Sequence, residues 1–293
     1  MIEININPIA FFGVRWYGVM VALAITVLVL WVLWQVKKGA KITPDTVLMA
    51  AVVGIPSGVV ISRLLHVIDN IVVAKLHPEL ALTGQVIDYL QYPGQIIGGS
   101  GLTIWGAVIG AGLGIWAFSK FSKSNFSYLA DLIAPGLILA QIVGRIGCTI
   151  NGCCYGSECD LPWAVVYMHP ESLAPHGIAV HPTQVYEIIY LIIMFIISLS
   201  IRSKLKSDGL LFLVYLAMYS LWRLGIDFIR DGNPFLFGLH QAQVIAIITL
   251  VVTIPMIVLR ARRVKVGEEV EEEMPLSLEE KDDENEVNKE VEE

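Results

Sequence analysis

The sequence predicts an all-α, polytopic membrane protein with seven transmembrane helices, the N-terminus outside and the C-terminus in the cytoplasm. Three observations carry this. Hydrophobic residues make up 55% of the chain and charged residues 16%, and mean hydropathy is +0.67. An average soluble domain is about 25% charged, and a single water-soluble core of this size cannot hide so much apolar surface. Seven long apolar stretches recur along the chain. Basic residues cluster in alternate loops.

A spanning helix needs about 20 apolar residues, because the hydrocarbon core is about 30 Å thick and each residue rises about 1.5 Å. The qualifying stretches are 14–34, 47–68, 102–119, 128–147, 184–201, 209–229 and 238–259. The N-terminal residues hold Glu3, no basic cluster and no small-residue cleavage site. The first stretch is therefore expected to be retained as a spanning helix rather than removed as a signal. The third is glycine-rich (Gly106, Gly110, Gly112, Gly114), which lets helix backbones approach closely and predicts a central packing position.

Orientation follows from Lys and Arg. Lys37, Lys38 and Lys41 follow the first stretch, Lys120 and Lys123 the third. Arg202, Lys204 and Lys206 follow the fifth, and Arg260, Arg262, Arg263 and Lys265 the seventh. The intervening loops hold Lys75 and otherwise mostly acids. A membrane body over 1–265 is expected, with long outer loops near 69–100 and 148–183 that have room for short interfacial helices. Residues 266–293 read as an acidic, disordered cytoplasmic tail. No basic, aromatic-interleaved patch points to nucleic acid.

Ionisable groups inside spanning segments cost about 2.5–3.5 kcal/mol each on insertion scales and usually mark a functional cavity. Here they are Arg15, Arg63, His66, Asp131, Arg145, Glu187, Arg223, Asp227 and Arg230. Arg223, Asp227 and Arg230 are spaced by four and three, so they share a helix face. Converging guanidiniums suit a phosphate, which they bind through paired hydrogen bonds. Arg–Asp pairs that pin helices, or Arg that snorkels to the interface, are the structural alternative.

Two segments are dense in such groups. Residues 144–156 combine Arg145, Asn151, Gly152 and Gly156 in a tight, backbone-exposed helix end able to cradle an anion. His181-Pro182-Thr183-Gln184-Val185-Tyr186-Glu187 opens the fifth helix, with Thr183, Gln184 and Glu187 able to share a face; simple capping explains them equally well.

Taken in order, these segments resemble the prolipoprotein diacylglyceryl transferase family from about residue 13 to 260. Arg15-Trp16-Tyr17-Gly18 is similar to its R/H-W-Y-G opening. Ser62-Arg63-Leu64 and Asp131-Leu132-Ile133-Ala134-Pro135 follow. Gly144, Arg145, Gly147, Asn151 and Gly156 match its G-R-x-G-N-F-x-N-x-E-x-x-G signature. Residues 181–187 resemble its H-P-S/T-Q-x-Y-E motif. Tyr219, Arg223, Asp227 and Arg230 resemble its Y-x-x-x-R-x-x-x-E/D-x-x-R helix, and Gln243 fits the last helix. The chain departs at three places: Trp105 stands where the family has His, and Cys148 and Cys153 where it has Asn and Glu.

The resemblance implies transfer of the diacylglyceryl group of phosphatidylglycerol to the thiol of a lipobox cysteine in a bacterial prolipoprotein. A thioether forms and glycerol 1-phosphate leaves. The implied partners are phosphatidylglycerol, the prolipoprotein signal peptide and membrane lipids; the implied location is the bacterial cell membrane, and no cofactor is expected. Tyr17, His181, Glu187 and Tyr219 become the candidate catalytic residues, with His181 or Glu187 as proton acceptor in place of the missing His. Arg145, Arg223, Asn151, Gly156, Gln184 and Arg230 become the candidate lipid-binding residues, Arg145 and Arg223 on the phosphate and Arg230 paired with Asp227. A relative moving a headgroup to another acceptor, or a lipid or solute transporter, is the alternative.

Cys148, Cys153, Cys154 and Cys159 all fall on the expected outer side, where oxidation is permitted, and one or two disulfides are expected. No metal site is expected, because no C-x-x-C spacing occurs. A reactive thiol in place of the lost carboxylate is the third reading.

Overall fold

The computed structural model describes residues 1–76, 89–90, 92–98, 103–230 and 238–273. Seven long helices follow one another: α1 (Trp16–Lys37), α2 (Pro44–Leu76), α3 (Ile104–Phe121), α4 (Phe126–Asn151), α5 (Thr183–Arg202), α6 (Leu210–Ile226) and α7 (Gln241–Glu273). A single helical turn, Gln95–Gly98, stands between α2 and α3. Among the described residues, five helices are long and apolar enough to cross a membrane. The apolar parts of the other two, Gly106–Phe121 and Leu210–Ile226, are shorter. At about 1.5 Å per residue they reach about 24–26 Å, short of a hydrocarbon core of about 30 Å.

The chain forms two compact units, Ala22–Ala140 and Met1–Val21 with Gln141–Glu293. In the first, α2 and α3 lie against each other with almost nothing between their backbones. A methyl group on Gly106 would sit 2.4 Å from Ser62 Cα, and one on Gly110 would sit 2.5 Å from the Ser57 carbonyl oxygen. The approach that the glycines predicted is therefore real, and it is directed at α2. Ser62 seals it by donating to the Thr103 carbonyl at 2.6 Å. Elsewhere in this unit Val32, Val47 and Leu132 form a small buried cluster, flanked by Trp31, whose indole N–H donates to the Leu132 carbonyl at 3.2 Å. Val52, Val60 and Val108 stay exposed, as expected of side chains that face acyl chains rather than water.

The second unit combines α5, α6 and α7 with five short strands that the sequence reading did not anticipate. β1 (Ile2–Ile4) pairs in parallel with β4 (Val165–Tyr167), which pairs antiparallel with β5 (Ala179–Val180). β2 (Ile9–Phe11) and β3 (Val14–Arg15) form a hairpin, closed by Phe12 and Gly13 at positive φ. Segments of two or three residues are too short to reveal a period of two, and Val-Val-Tyr reads as a strand only once a partner is present.

The two expected outer loops also change. α2 runs to Leu76, into the loop expected from residue 69, and most of the rest of that loop lies outside the described residues. The loop expected from 148 begins with the last turn of α4 and is organised by β4 and β5 instead of an interfacial helix. Likewise α7 continues to Glu273, and the expected tail beyond it lies outside the described residues.

Candidate active site

The site grows from the end of α4, the start of α5 and the end of α6, all within the second unit. Arg145, one and a half turns before the end of α4, turns inward. Its Nε lies 2.9 Å from Glu187 Oε1, with only 16% and 3% of the two side chains exposed. The same carboxylate oxygen accepts the Tyr219 hydroxyl at 3.2 Å. Glu187 is one turn into α5, so α4, α5 and α6 are joined through one oxygen atom. An ion pair this sheltered from water is costly to break from either side.

A second cluster caps α6. Arg223 Nη2 bridges both oxygens of Asp227, at 2.9 and 3.0 Å. Arg230 approaches the same carboxylate from the other side, its Nη1 3.9 Å from Oδ1. Two guanidiniums thus share one buried carboxylate, which leaves positive charge over. Tyr219 lies within the electrostatic reach of both Arg145 and Arg223, so the two clusters face one region. Gln243 on α7 holds that end of α6 by donating to the Leu224 carbonyl at 3.2 Å.

Glycine closes the pocket where backbones cross. Gly156 donates its N–H to the His181 carbonyl at 2.9 Å and bridges to Arg230. A side chain there would meet His181 Cβ at 2.7 Å and the Ile229 carbonyl at 2.9 Å. Asn151, 4% exposed, accepts from Arg15 at 2.9 Å, and Arg15 also reaches the Glu171 carbonyl at 3.1 Å. Gln184 is buried and donates to the Cys153 carbonyl at 2.7 Å, while Thr183 donates to the Cys154 carbonyl at 2.6 Å. Neither side chain caps α5, which has Pro182 at its N-cap and no side-chain capping bond; both clamp the cysteine loop.

The structure thus brings Arg145, Glu187, Tyr219 and Arg223 together, as it does Gly156 with Arg230 and Asn151 with Arg15. Tyr17 stands against the same end of α4, where a Cβ on Gly147 would lie 3.5 Å from its Cα. His181 does not point the same way. Its ring Nδ1 meets the Tyr186 hydroxyl at 3.3 Å, which itself accepts from the Trp163 indole at 2.8 Å. Trp105 lies in α3, in the other unit.

The expected disulfides are absent: all four cysteines are free. Spacing alone could not anticipate what the chain does here. The sulfurs of Cys148, Cys153 and Cys154 lie within 4.8 Å of one another. The chain reverses at Gly152 (φ +70°) and Cys154 (φ +65°), and a Cβ at Gly152 would fall 2.1 Å from Ser172 Oγ. Arg145 Nη1 reaches Cys148 Sγ at 3.8 Å. Hydrogen bonds from Cys148 and Cys153, with Arg230 and Arg145 nearby, hold the Cys154 thiol well below its usual range. Arg15 and Thr183, which stand in the quoted motifs but were given no role there, also belong to this site.

Comparison with known proteins identifies the family. The family model for prolipoprotein diacylglyceryl transferase matches residues 5–259. A phosphatidylglycerol–prolipoprotein diacylglyceryl transferase of Dehalococcoides mccartyi is 45% identical over 90% of this chain and 98% of its own length. Proteins of the same name from Nostoc sp. (33% identical, 83% of each chain) and Clostridioides difficile (31% identical, 81% of this chain and 87% of the relative) also align. With five apolar helices of spanning length and a family match over nearly its whole extent, this membrane protein belongs to the prolipoprotein diacylglyceryl transferase family.

Proposed function

We propose that this enzyme transfers the diacylglyceryl group of phosphatidylglycerol to the thiol of a lipobox cysteine, with glycerol 1-phosphate as leaving group. The observation that carries the reading is the sharing of Asp227 by Arg223 and Arg230, beside the Arg145–Glu187–Tyr219 cluster. The reaction displaces a phosphate monoester from carbon, so charge builds on phosphate oxygens as the bond breaks. Fixed cations in a site sheltered from water stabilise that charge most. Arg223 and Arg230 receive the phosphate, and Arg145 joins them as its carboxylate partner is shared with Tyr219. Glu187 lies against Arg145 and Tyr219 within the site, whereas the His181 ring is turned to Tyr186.

A largely apolar groove of about 400 Å³, lined by Tyr186, Tyr190, Leu221, Trp222 and Ile229, opens on the flank of α5 and α6. It is suited to acyl chains and gives the lipid a sideways approach. Seven spans with the N-terminus outside accord with the charge pattern. Arg260 on α7 donates to the Asp208 carbonyl in the α5–α6 loop, so the basic ends of α5 and α7 meet, at the opposite end of these helices from the site. On this reading residues 1–265 form the catalytic body in the bacterial cell membrane, the site faces outward, and 266–293 form a cytoplasmic tail.

Purified protein given labelled phosphatidylglycerol and a lipobox peptide should yield a thioether-linked diacylglyceryl peptide and glycerol phosphate. Phosphatidylethanolamine in its place should give little product. Transfer of label without thioether formation, or lipid movement across vesicles with no product, would instead support another acceptor or a transporter.

A further inference from the structure

We propose that Cys148, Cys153 and Cys154 form a three-thiolate site for a zinc-type ion, whose open fourth position receives the acceptor thiol. The geometry is the first ground. Zinc–sulfur bonds of about 2.3 Å place tetrahedral ligand sulfurs about 3.8 Å apart, and these three sulfurs already lie within 4.8 Å of one another. Closing on an ion requires only small rotations of side chains whose backbone is already fixed.

That fixing is the second ground. Cys153 N–H donates to the Cys148 carbonyl at 3.1 Å, Gln184 holds the Cys153 carbonyl and Thr183 the Cys154 carbonyl. Cys154 is held at φ +65°, a conformation that a residue with a side chain adopts only when its surroundings impose it. The surroundings turn three sulfurs to one point. Cys159, in the same loop, is left out of the group and hydrogen-bonds through its N–H to Ala179 instead.

A disulfide explains the cluster less well. The adjacent pair Cys153–Cys154 has Cα atoms about 3.8 Å apart across a trans peptide, below the range of about 4.4–6.8 Å that disulfides span. Any other pairing leaves the third sulfur unused. Charge also fits: three thiolates on a dication carry one net negative charge, and Arg145 stands 3.8 Å from Cys148 Sγ. Two of the three cysteines stand where the family motif described above carries Asn and Glu.

The acceptor half of the proposal rests on the transferase reading. The lipobox thiol binds as fourth ligand, the dication stabilising the thiolate, and its proton ends on the departing glycerol phosphate. Its sulfur then attacks the glyceryl carbon of the lipid. The carbon–sulfur bond forms as the carbon–oxygen bond breaks, and the electron pair leaves on the phosphate oxygen of glycerol phosphate. The thioether product is a weaker ligand and departs.

The test is metal content of full-length protein purified anaerobically in detergent, followed by titration with zinc and cobalt(II). The expected result is about one zinc per chain, and a sulfur-to-cobalt charge-transfer band that grows when lipobox peptide is added but not when its cysteine is serine. Cys148→Ser, Cys153→Ser and Cys154→Ser should each weaken zinc by more than the roughly 10–100-fold that loss of an outer-shell partner costs; Cys159→Ser should leave it unchanged. No stoichiometric zinc in the wild type, a disulfide in the anaerobic protein, or a cobalt band indifferent to all three substitutions overturns the site. Wild-type protein is read directly, so misfolded variants cannot rescue the proposal. Zinc bound with no response to peptide overturns the acceptor step alone, and zinc bound with no lipid transfer strikes the transferase reading and leaves the ion site standing.

Discussion

The two units of this molecule solve one problem, joining helices in an apolar medium, by opposite means. In Ala22–Ala140 the tightest contacts are between α2 and α3, where Gly106 and Gly110 let backbone lie on backbone. In the other unit α4, α5 and α6 are joined through buried charge, Arg145 to Glu187 and Tyr219 to the same oxygen, while Arg223 and Arg230 share Asp227 at the end of α6. Small-residue packing gives close, featureless contact. Ion pairs hold helices less economically, because each charge is first stripped of water. A chain that accepts that cost in one unit and avoids it in the other has placed its chemistry in the first.

Three substitutions sharpen the contrast. Glu187→Gln leaves Arg145 buried without its carboxylate, and breaking a buried pair from one side costs about 3–5 kcal/mol. Thermal unfolding in detergent should move down accordingly, and Arg145→Met with Glu187→Gln should recover most of the loss. A recovery that fails would mean the pair is not the joint between α4 and α5. Gly110→Val drives a Cβ and its two methyl groups into Ser57 and Ile61 and, at about 1–3 kcal/mol for overpacking, should lower stability with the transfer rate per folded molecule retained. Tyr186→Phe removes the hydroxyl shared by Trp163 and His181. It should cost about 1 kcal/mol and leave transfer intact; a large loss of rate would return His181 to the chemistry.

Much of this was legible in the sequence, for identifiable reasons. The long helices announce themselves because hydropathy accumulates over twenty residues; Arg145, Glu187 and Arg223 could be chosen because charge in such helices is rare, and Tyr219 through the family motif it resembles. What could not be read is partnership. Nothing in the spacing of Arg145 and Glu187, on different helices, says that they meet at 2.9 Å. The cysteines misled for a related reason: their expected place on the outer side argued for disulfides and the lack of C-x-x-C against a metal, but a reversal at Gly152 and Cys154 gathers three sulfurs from a seven-residue stretch. His181 misled in the other direction. Its motif is intact, yet its ring is held by a tyrosine five residues along the same segment.

The central claim is that guanidiniums from separate helices grip one anionic headgroup. Its most direct measurement is the rate of thioether formation from labelled phosphatidylglycerol in Arg223→Ala, beside wild type at matched folded concentration. Loss of a fixed cation that stabilises developing charge should lower the rate about 10²–10³-fold. An Arg223→Ala enzyme that still transfers within a few-fold of wild type would contradict the account.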